Sequence, residues 1–116
     1  MTTVLCLRLA AISGLLTVAL GAFGAHGLKA LLVANETLAV WEKAVLYQMF
    51  HTLALLGLAL RPTVHTGAAF GFVLGIVLFS GSLYVLAATN MRWLGAITPL
   101  GGVAFLVGWL LILLRP

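Results

Sequence analysis

Uncharged stretches divide this sequence into four long apolar segments. They run from Leu9 to Ala25, from Ala44 to Leu60, from Pro62 to Met91 and from Trp93 to Leu114. A transmembrane helix needs about 17–25 mostly apolar residues, and a charged residue at the centre of a span costs about 2.5–3.5 kcal/mol on insertion scales. Each stretch therefore predicts one crossing, and the third is too short for two.

The predicted fold class is all-α, an integral membrane bundle of four transmembrane helices that forms a single domain over residues 1–116. The spans are expected at about residues 5–25, 42–60, 67–89 and 96–114. Between the first two spans, Leu28–Val33 is apolar but too short to cross. We expect it to form a turn or short helix in the membrane interface.

Local signals suggest where the later helices begin. Asn35 is a favoured N-cap residue and Glu36 suits the positive end of a helix dipole, so the second helix is expected to start there and continue to Arg61. The third loop, around Asn90–Gly95, is short. Pro99 is tolerated in the first turn of the fourth helix, because its missing N–H would have no intrahelical partner.

Composition supports a lipid environment. The chain is 64% hydrophobic and 7% charged, with a mean hydropathy of +1.25, and a soluble domain of this size could not cover its surface with so few charges. The net charge of +4 comes from six scattered Lys and Arg residues. No basic stripe exists to neutralise a run of phosphates, so we expect no nucleic-acid partner.

The sequence lacks the residue patterns of common catalytic and metal-binding sites. Glu36 and Glu42 are the only acidic residues, and both flank one span. No spacing of His, Asp or Glu suggests a metal, and no hydrolase motif is present. We therefore expect a protein that is not an enzyme, with no catalytic residue, metal or cofactor. Cys6 is the single cysteine, so it cannot form an intramolecular disulfide, and we expect it to be packed and inert.

Two further questions concern insertion. Arg8, the apolar core after it and the small residues Ala22 and Gly24 resemble a signal peptide, but we favour a retained helix because the basic region is thin and small residues continue to Gly27. For orientation, four crossings put three basic residues on each side, which decides nothing. We lean to termini in the cytoplasm, because Arg8 flanks the first helix, which usually dominates insertion.

Small residues recur along three of the predicted spans, where they permit close approach of helix backbones. The three stripes are Gly14, Thr17, Gly21 and Gly24; Gly67, Gly71 and Gly75; and Thr98, Gly101, Phe105 and Gly108. Packing within one chain is the favoured interpretation, and an oligomer contact is the alternative. Because a small chain exposes most of its helical surface to lipid, we also expect membrane lipids, a homo-oligomer or a membrane-protein partner as its contacts.

Polar residues are predicted to gather in the half of the membrane nearest the first loop. Up-and-down threading brings four helix ends to that side, whereas the other half holds little beyond Ser13, Thr17 and Thr52. The candidate binding cluster, all from those four ends, consists of His26, Lys43, Tyr47, Gln48, His51, Ser80, Tyr84 and Thr98.

The second helix carries the sharpest part of this pattern. Lys43, Tyr47 and His51 are four residues apart and so share one helix face. Ser80 and Tyr84 on the third helix are the expected partners of His51 and Gln48, because unsatisfied polar groups in hydrocarbon cost several kcal/mol.

Two interpretations of this cluster remain open. The favoured one is a hydrogen-bonded clasp between helices two and three. The other is a shallow site where His51 carries a proton, or binds a headgroup or small anion alongside Lys43. His26 is expected to be an interfacial cap. The tryptophans Trp41, Trp93 and Trp109 are expected to be interface anchors.

Four motifs in order resemble the YgdD-like family of small inner-membrane proteins. They are Gly21-Ala22-Phe23-Gly24-Ala25-His26-Gly27; Trp41-x-x-Ala44-x-x-Tyr47-x-x-x-His51; Phe79-Ser80-Gly81-Ser82-Leu83-Tyr84; and Ile97-Thr98-Pro99-Leu100-Gly101-Gly102 with Gly108-Trp109. The resemblance implies a small multi-span protein of the bacterial inner (plasma) membrane, with no settled biochemical activity.

The leading functional hypothesis is a non-enzymatic, oligomeric or accessory membrane subunit that contacts lipid or a partner. The alternative is a small transporter or channel that uses the polar half-membrane site around His51. A closed apolar half between Thr17 and Thr52 would count against transport, and a water-filled path past His51 would favour it.

Overall fold

The computed structural model describes residues 1–116 as an all-helical chain without strands. Its elements are α1 (Thr3–Ala25), α2 (Lys29–Ala34), α3 (Leu38–Ala59), α4 (Thr66–Gly75), a π-helical turn (Ile76–Ser80), α5 (Gly81–Thr89), a 3-10 turn (Arg92–Ala96) and α6 (Thr98–Leu114). Three helical stretches are long and apolar enough to cross a membrane, namely Thr3–Ala25, Thr66–Thr89 and Arg92–Leu114. The fourth long helix is α3, which carries Glu42 and Lys43.

Contacts between chain segments show that the long helices run alternately up and down. The amino group of Met1 donates to Thr66 Oγ1 at 3.0 Å, so the amino terminus lies beside the second connection. At the opposite end, the Arg92 guanidinium donates to the Asn35 carbonyl at 3.2 Å. The first and third connections therefore meet at one end of the bundle.

The prediction that Asn35 caps the second long helix is wrong. Asn35 instead ends α2, and its side-chain amide donates to the Ala87 carbonyl at 3.1 Å. Glu36 has a left-handed backbone, with φ of 57°, and Thr37 precedes α3. The Thr37 hydroxyl also donates to Ala87, at 2.7 Å, so tertiary hydrogen bonds to α5 outweigh the local capping preference.

Other predicted helix boundaries are close to those observed. The segment after α1 forms the six-residue helix α2, where a turn or short helix was expected. Pro99 lies in the first turn of α6, as predicted. His65 precedes α4, and its Nδ1 accepts the Ala68 N–H at 3.2 Å.

Glycines allow the third and fourth long helices to cross closely. A Cβ on Gly71 would lie 3.0 Å from the Ala104 carbonyl oxygen, and one on Gly108 would lie 2.6 Å from Phe72. A Cβ on Gly75 would overlap the Phe105 ring. These two predicted stripes therefore pack within the chain, since no side chain would fit between the helices.

The glycine stripe of α1 faces α3 more loosely. Ideal Cβ atoms on Gly14 and Gly21 would meet Thr52 and Val45 at ordinary distances of 3.7 and 3.5 Å, whereas one on Gly24 would overlap the Trp41 indole. Trp41 is 4% exposed, and its indole donates to the Leu20 carbonyl at 2.9 Å. The expectation that Trp41 is an interface anchor is wrong, because its indole is buried between the helices and fills the space that Gly24 leaves.

The main apolar core lies in the half of the bundle that contains the termini. Its buried members are Cys6, Ala10, Leu55, Leu58, Ala59, Ala68, Ala69, Phe72 and Phe105. Cys6 is fully buried, and its thiol contacts the Leu55 carbonyl at 3.5 Å. This placement confirms that Cys6 is packed.

Candidate functional site

Gln48 is the centre of a hydrogen-bond network that joins three long helices. Its Oε1 accepts the Tyr84 hydroxyl from α5 at 2.6 Å. Its Nε2 lies 3.3 Å from both the carbonyl oxygen and the hydroxyl of Ser13 on α1. Gln48 is 3% exposed, so these bonds form away from solvent, where an unpaired amide would be costly.

The network continues from Gln48 into the half that was expected to be nearly dry. Ser13 and Thr52 share a hydrogen bond of 2.6 Å between their hydroxyls, and the Thr17 hydroxyl donates to the Ser13 carbonyl at 2.7 Å. Ser13 is ten residues into α1, about 15 Å from its start. These three hydroxyls lie in the half that is predicted to hold few polar residues, and they complete the network that Gln48 begins.

Two serines of the third long helix make separate contacts. The Ser80 hydroxyl donates to the Ala44 carbonyl of α3 at 2.8 Å. The hydroxyls of Ser82 and Thr98 lie 2.7 Å apart, which links this helix to the start of α6. Ser80 belongs to the π-helical turn, and such turns realign the side chains that follow them.

His51 is held by the last helix, not by the third. Its Nε2 accepts the Trp109 indole N–H at 3.0 Å, so its Nδ1 carries the proton and donates to the Tyr47 carbonyl at 2.8 Å. The ring stacks on Phe105, with 3.6 Å between centroids. The prediction that Ser80 or Tyr84 bonds His51 is wrong; Tyr84 and Gln48 do form the predicted pair.

An open groove lies over His51, between α3 and α6. It encloses about 660 Å³. Its lining residues are Leu46, Tyr47, Phe50, His51, Phe79, Pro99, Gly102, Val103, Phe105, Leu106 and Trp109. The Tyr47 ring stacks on Phe79 at 4.5 Å, so aromatic rings form much of the surface.

Two of the predicted site residues lie outside this arrangement. His26 ends α1 and is exposed, and Lys43 is exposed on α3. The other six fall into four separate sets. Gln48 bonds Tyr84, Thr98 bonds Ser82, and Tyr47 lies beside His51 in the groove. Ser80 bonds only a backbone carbonyl. The predicted cluster is thus a set of interhelical contacts and not one cavity.

Sequence reasoning missed four participants in these contacts. Trp109 was expected to be a headgroup anchor, yet it is the donor to His51, and no local signal links the two residues. Ser13 and Thr17 are four apart and therefore share a face of α1, a spacing that could have marked them as part of the network. Thr37 has no such signal, because its acceptor, Ala87, is a backbone carbonyl.

A family model described as a protein of unknown function (DUF423) matches residues 20–102, which is more than half of the chain. The chain belongs to the DUF423 family. No solved structure matches it.

Relatives of this DUF423 protein carry membrane-protein names. It is 51% identical over 110 residues to UPF0382 membrane protein SSP2132 of Staphylococcus saprophyticus, covering 91% of each chain. It is 48% identical over 110 residues to UPF0382 membrane protein YwdK of Bacillus subtilis, covering 90% of this chain and 89% of the relative. It is 49% identical over 119 residues to UPF0382 inner membrane protein YgdD of Escherichia coli K12, covering 97% and 89%.

These matches confirm the resemblance to the YgdD-like family. Together with three apolar helices of sufficient length, they show that this DUF423 protein is a multi-pass protein of the bacterial inner (plasma) membrane. The names of these relatives describe membrane proteins and state no reaction.

The buried polar side chains of this DUF423 protein are all hydrogen-bonded, and this limits the chemistry that they can perform. Every buried side-chain nitrogen or oxygen has a hydrogen-bond partner, and no group of three His, Cys, Asp or Glu residues comes together as metal ligands. The arrangement can hold helices in register and present an aromatic groove to its surroundings.

Proposed function

We propose that this protein is a non-enzymatic membrane subunit with four crossings, whose buried polar contacts fix the helices while its outer surface contacts lipid or a membrane-protein partner. The observation that carries the proposal is that every buried side-chain nitrogen or oxygen has a hydrogen-bond partner within the chain. A buried polar side chain that is already hydrogen-bonded within the protein is suited to packing, since using it for chemistry would leave its hydrogen-bond partner unpaired.

The fourth crossing is assigned to α3. This helix has 22 residues, or about 33 Å, which exceeds the hydrocarbon thickness of about 30 Å. Glu42 and Lys43 lie in its first two turns, where they reach headgroups. The up-and-down contacts of the termini and loops support the same threading, and α2 would then lie in the interface beside the first loop.

Single-cysteine labelling tests this topology. In a Cys6→Ala background, Lys29→Cys lies in α2 and Thr63→Cys lies in the second connection, at opposite ends of α3. An impermeant maleimide applied to one face of sealed vesicles is expected to label only one of them. Labelling of both from the same face would show that α3 does not cross.

The transporter hypothesis is disfavoured by two observations. Both ring nitrogens of His51 are engaged, by Trp109 and Tyr47. Beyond Thr52, the interior is closed by the buried apolar cluster that includes Cys6, Leu55 and Leu58. No buried polar side chains continue the path towards the end that contains the termini.

Reconstitution separates the two hypotheses. The proposal predicts a proton leak equal to that of protein-free liposomes, and, after mild extraction, a native mass above that of one chain. A leak that His51→Ala abolishes, or a mass of a single chain without any partner protein, would contradict it. Trp93→Phe, at a residue that is 62% exposed, is the control for both readouts.

A further inference from the structure

The groove between α3 and α6 has the dimensions and chemistry of a ligand site. Its volume of about 660 Å³ falls within the range of about 300–1,000 Å³ that is usual for small-molecule sites. One wall is left open by Gly102, where an added Cβ would meet only Phe79, at 3.9 Å. The floor is fixed, because His51 is stacked on Phe105 and bonded to Trp109.

The length of the groove matches one leaflet. On α6 it extends from Pro99 to Trp109, ten residues or about 15 Å, which is half of a hydrocarbon core of about 30 Å. A transmembrane helix of a partner would need a surface along the whole span. The groove alone is also too small for a stable interface with a second copy, since 11 residues line it and such an interface uses about 20–30 per side.

The charge at the outer end of the groove selects the headgroup. Lys43 precedes Leu46 and Tyr47, both lining residues, by three and four positions, so it lies on the groove face of α3 one turn nearer the first loop. Lys43 is exposed. Its neighbour Glu42 lines a different depression, beside Gly21 and Gly24 of α1, so Lys43 is the charged residue of α3 on the groove face.

We infer that this groove binds one anionic glycerophospholipid, with an acyl chain along the aromatic floor and the phosphate at Lys43. Tyr47 lies one turn below Lys43, a depth at which an aromatic ring with a polar end suits the headgroup boundary. The inference rests on the proposed function in one respect, since it needs α3 to cross the membrane.

Native mass spectrometry of the full chain tests this assignment. The protein is equilibrated in mixed micelles that contain equal amounts of phosphatidylglycerol and phosphatidylcholine with identical acyl chains. One retained phosphatidylglycerol per chain is expected. Lys43→Gln should lower the ratio of phosphatidylglycerol to phosphatidylcholine adducts about fivefold, the change expected from about 1 kcal/mol per basic residue near an anionic surface. Gly102→Leu should remove the retained lipid by filling the groove.

Matched controls distinguish a site from ordinary lipid contact. Lys29→Gln removes another exposed lysine near the same loops, and Gly57→Leu enlarges an exposed glycine that has nothing within 4 Å; both should retain the lipid as the wild type does. Equal retention of the two lipids by the wild type, or equal loss in test and control variants, would overturn the inference. Lys43→Gln alters an exposed side chain, so the test holds even if Gly102→Leu fails to fold.

The same spectra separate this inference from the proposed function. A protein that assembles but retains no phosphatidylglycerol contradicts the lipid site alone. A protein that retains the lipid as a single chain, without partner proteins, contradicts the subunit role alone.

Discussion

Substitution of Gly101 by alanine tests a close backbone contact between the third and fourth long helices. A Cβ on Gly101 would overlap the backbone nitrogen of Phe79, and it would lie 2.7 Å from both the Cα and the Cβ of that residue. Phe79 belongs to the π-helical turn. The main chain of one helix would therefore have to move, because no flexible side chain can yield. Gly102 is the matched control, since its Cβ would meet only Phe79 Cδ2 at 3.9 Å.

The expected magnitudes follow from two opposing effects. Gly to Ala within a helix gains about 1 kcal/mol in helix propensity. Overpacking costs about 1–3 kcal/mol, and overlap with backbone belongs at the upper end of that range. We expect Gly101→Ala to lose about 2 kcal/mol of unfolding free energy and Gly102→Ala to gain up to about 1 kcal/mol. The difference of about 3 kcal/mol corresponds to more than about a hundredfold in the unfolding equilibrium.

The assay is reversible unfolding of the purified protein in mixed micelles, with increasing SDS and detection by circular dichroism and tryptophan fluorescence. The two variants are compared with the wild type at one detergent concentration. Equal stability of Gly101→Ala and Gly102→Ala would refute the close backbone crossing.

Three further predictions use the same preparation. Cys6, which is fully buried, should resist a maleimide in mild detergent and react fully in SDS; rapid labelling of the folded protein would contradict its packing. Glu36→Gly should raise the unfolding free energy by about 1 kcal/mol, because Glu36 has a positive φ that glycine adopts without strain. Glu42→Gly, within α3, should lower the unfolding free energy by about 1 kcal/mol. A change of the same sign in both variants would be inconsistent with a left-handed backbone at Glu36. Trp109→Phe should cost about 1–2 kcal/mol by removing the donor to His51, and an equal effect of Trp93→Phe would show that the bond is not stabilising.

Periodicity and composition were enough to predict the helical fold. Apolar stretches between charges predicted the long helices, and glycine spacing on the third and fourth of them marked the faces that cross at Gly71 and Gly108. These signals can be read from the sequence of a single helix. An apolar segment in lipid must form a helix to satisfy its own backbone hydrogen bonds, and close approach of two helices requires small residues at regular intervals.

The pairing of polar side chains could be predicted only in part. Tyr84 and Gln48 were matched correctly, because their depths follow from up-and-down threading. The partner of His51 was missed, since the rotation of α6 about its own axis decides whether Trp109 faces inward, and no local pattern records that angle. Asn35 was misassigned for a related reason, because its acceptor is a backbone carbonyl on a distant helix.

The claim that buried polar bonds hold these helices together is tested most directly by a double-mutant cycle on Tyr84 and Gln48. The unfolding free energies of Tyr84→Phe, Gln48→Leu and the double variant are measured against the wild type, with Tyr84→Phe and Thr98→Val as a pair that shares no bond. A coupling energy of about 0.6–2 kcal/mol is expected for the bonded pair, and about zero for the control. Additive losses at Tyr84 and Gln48 would contradict the account.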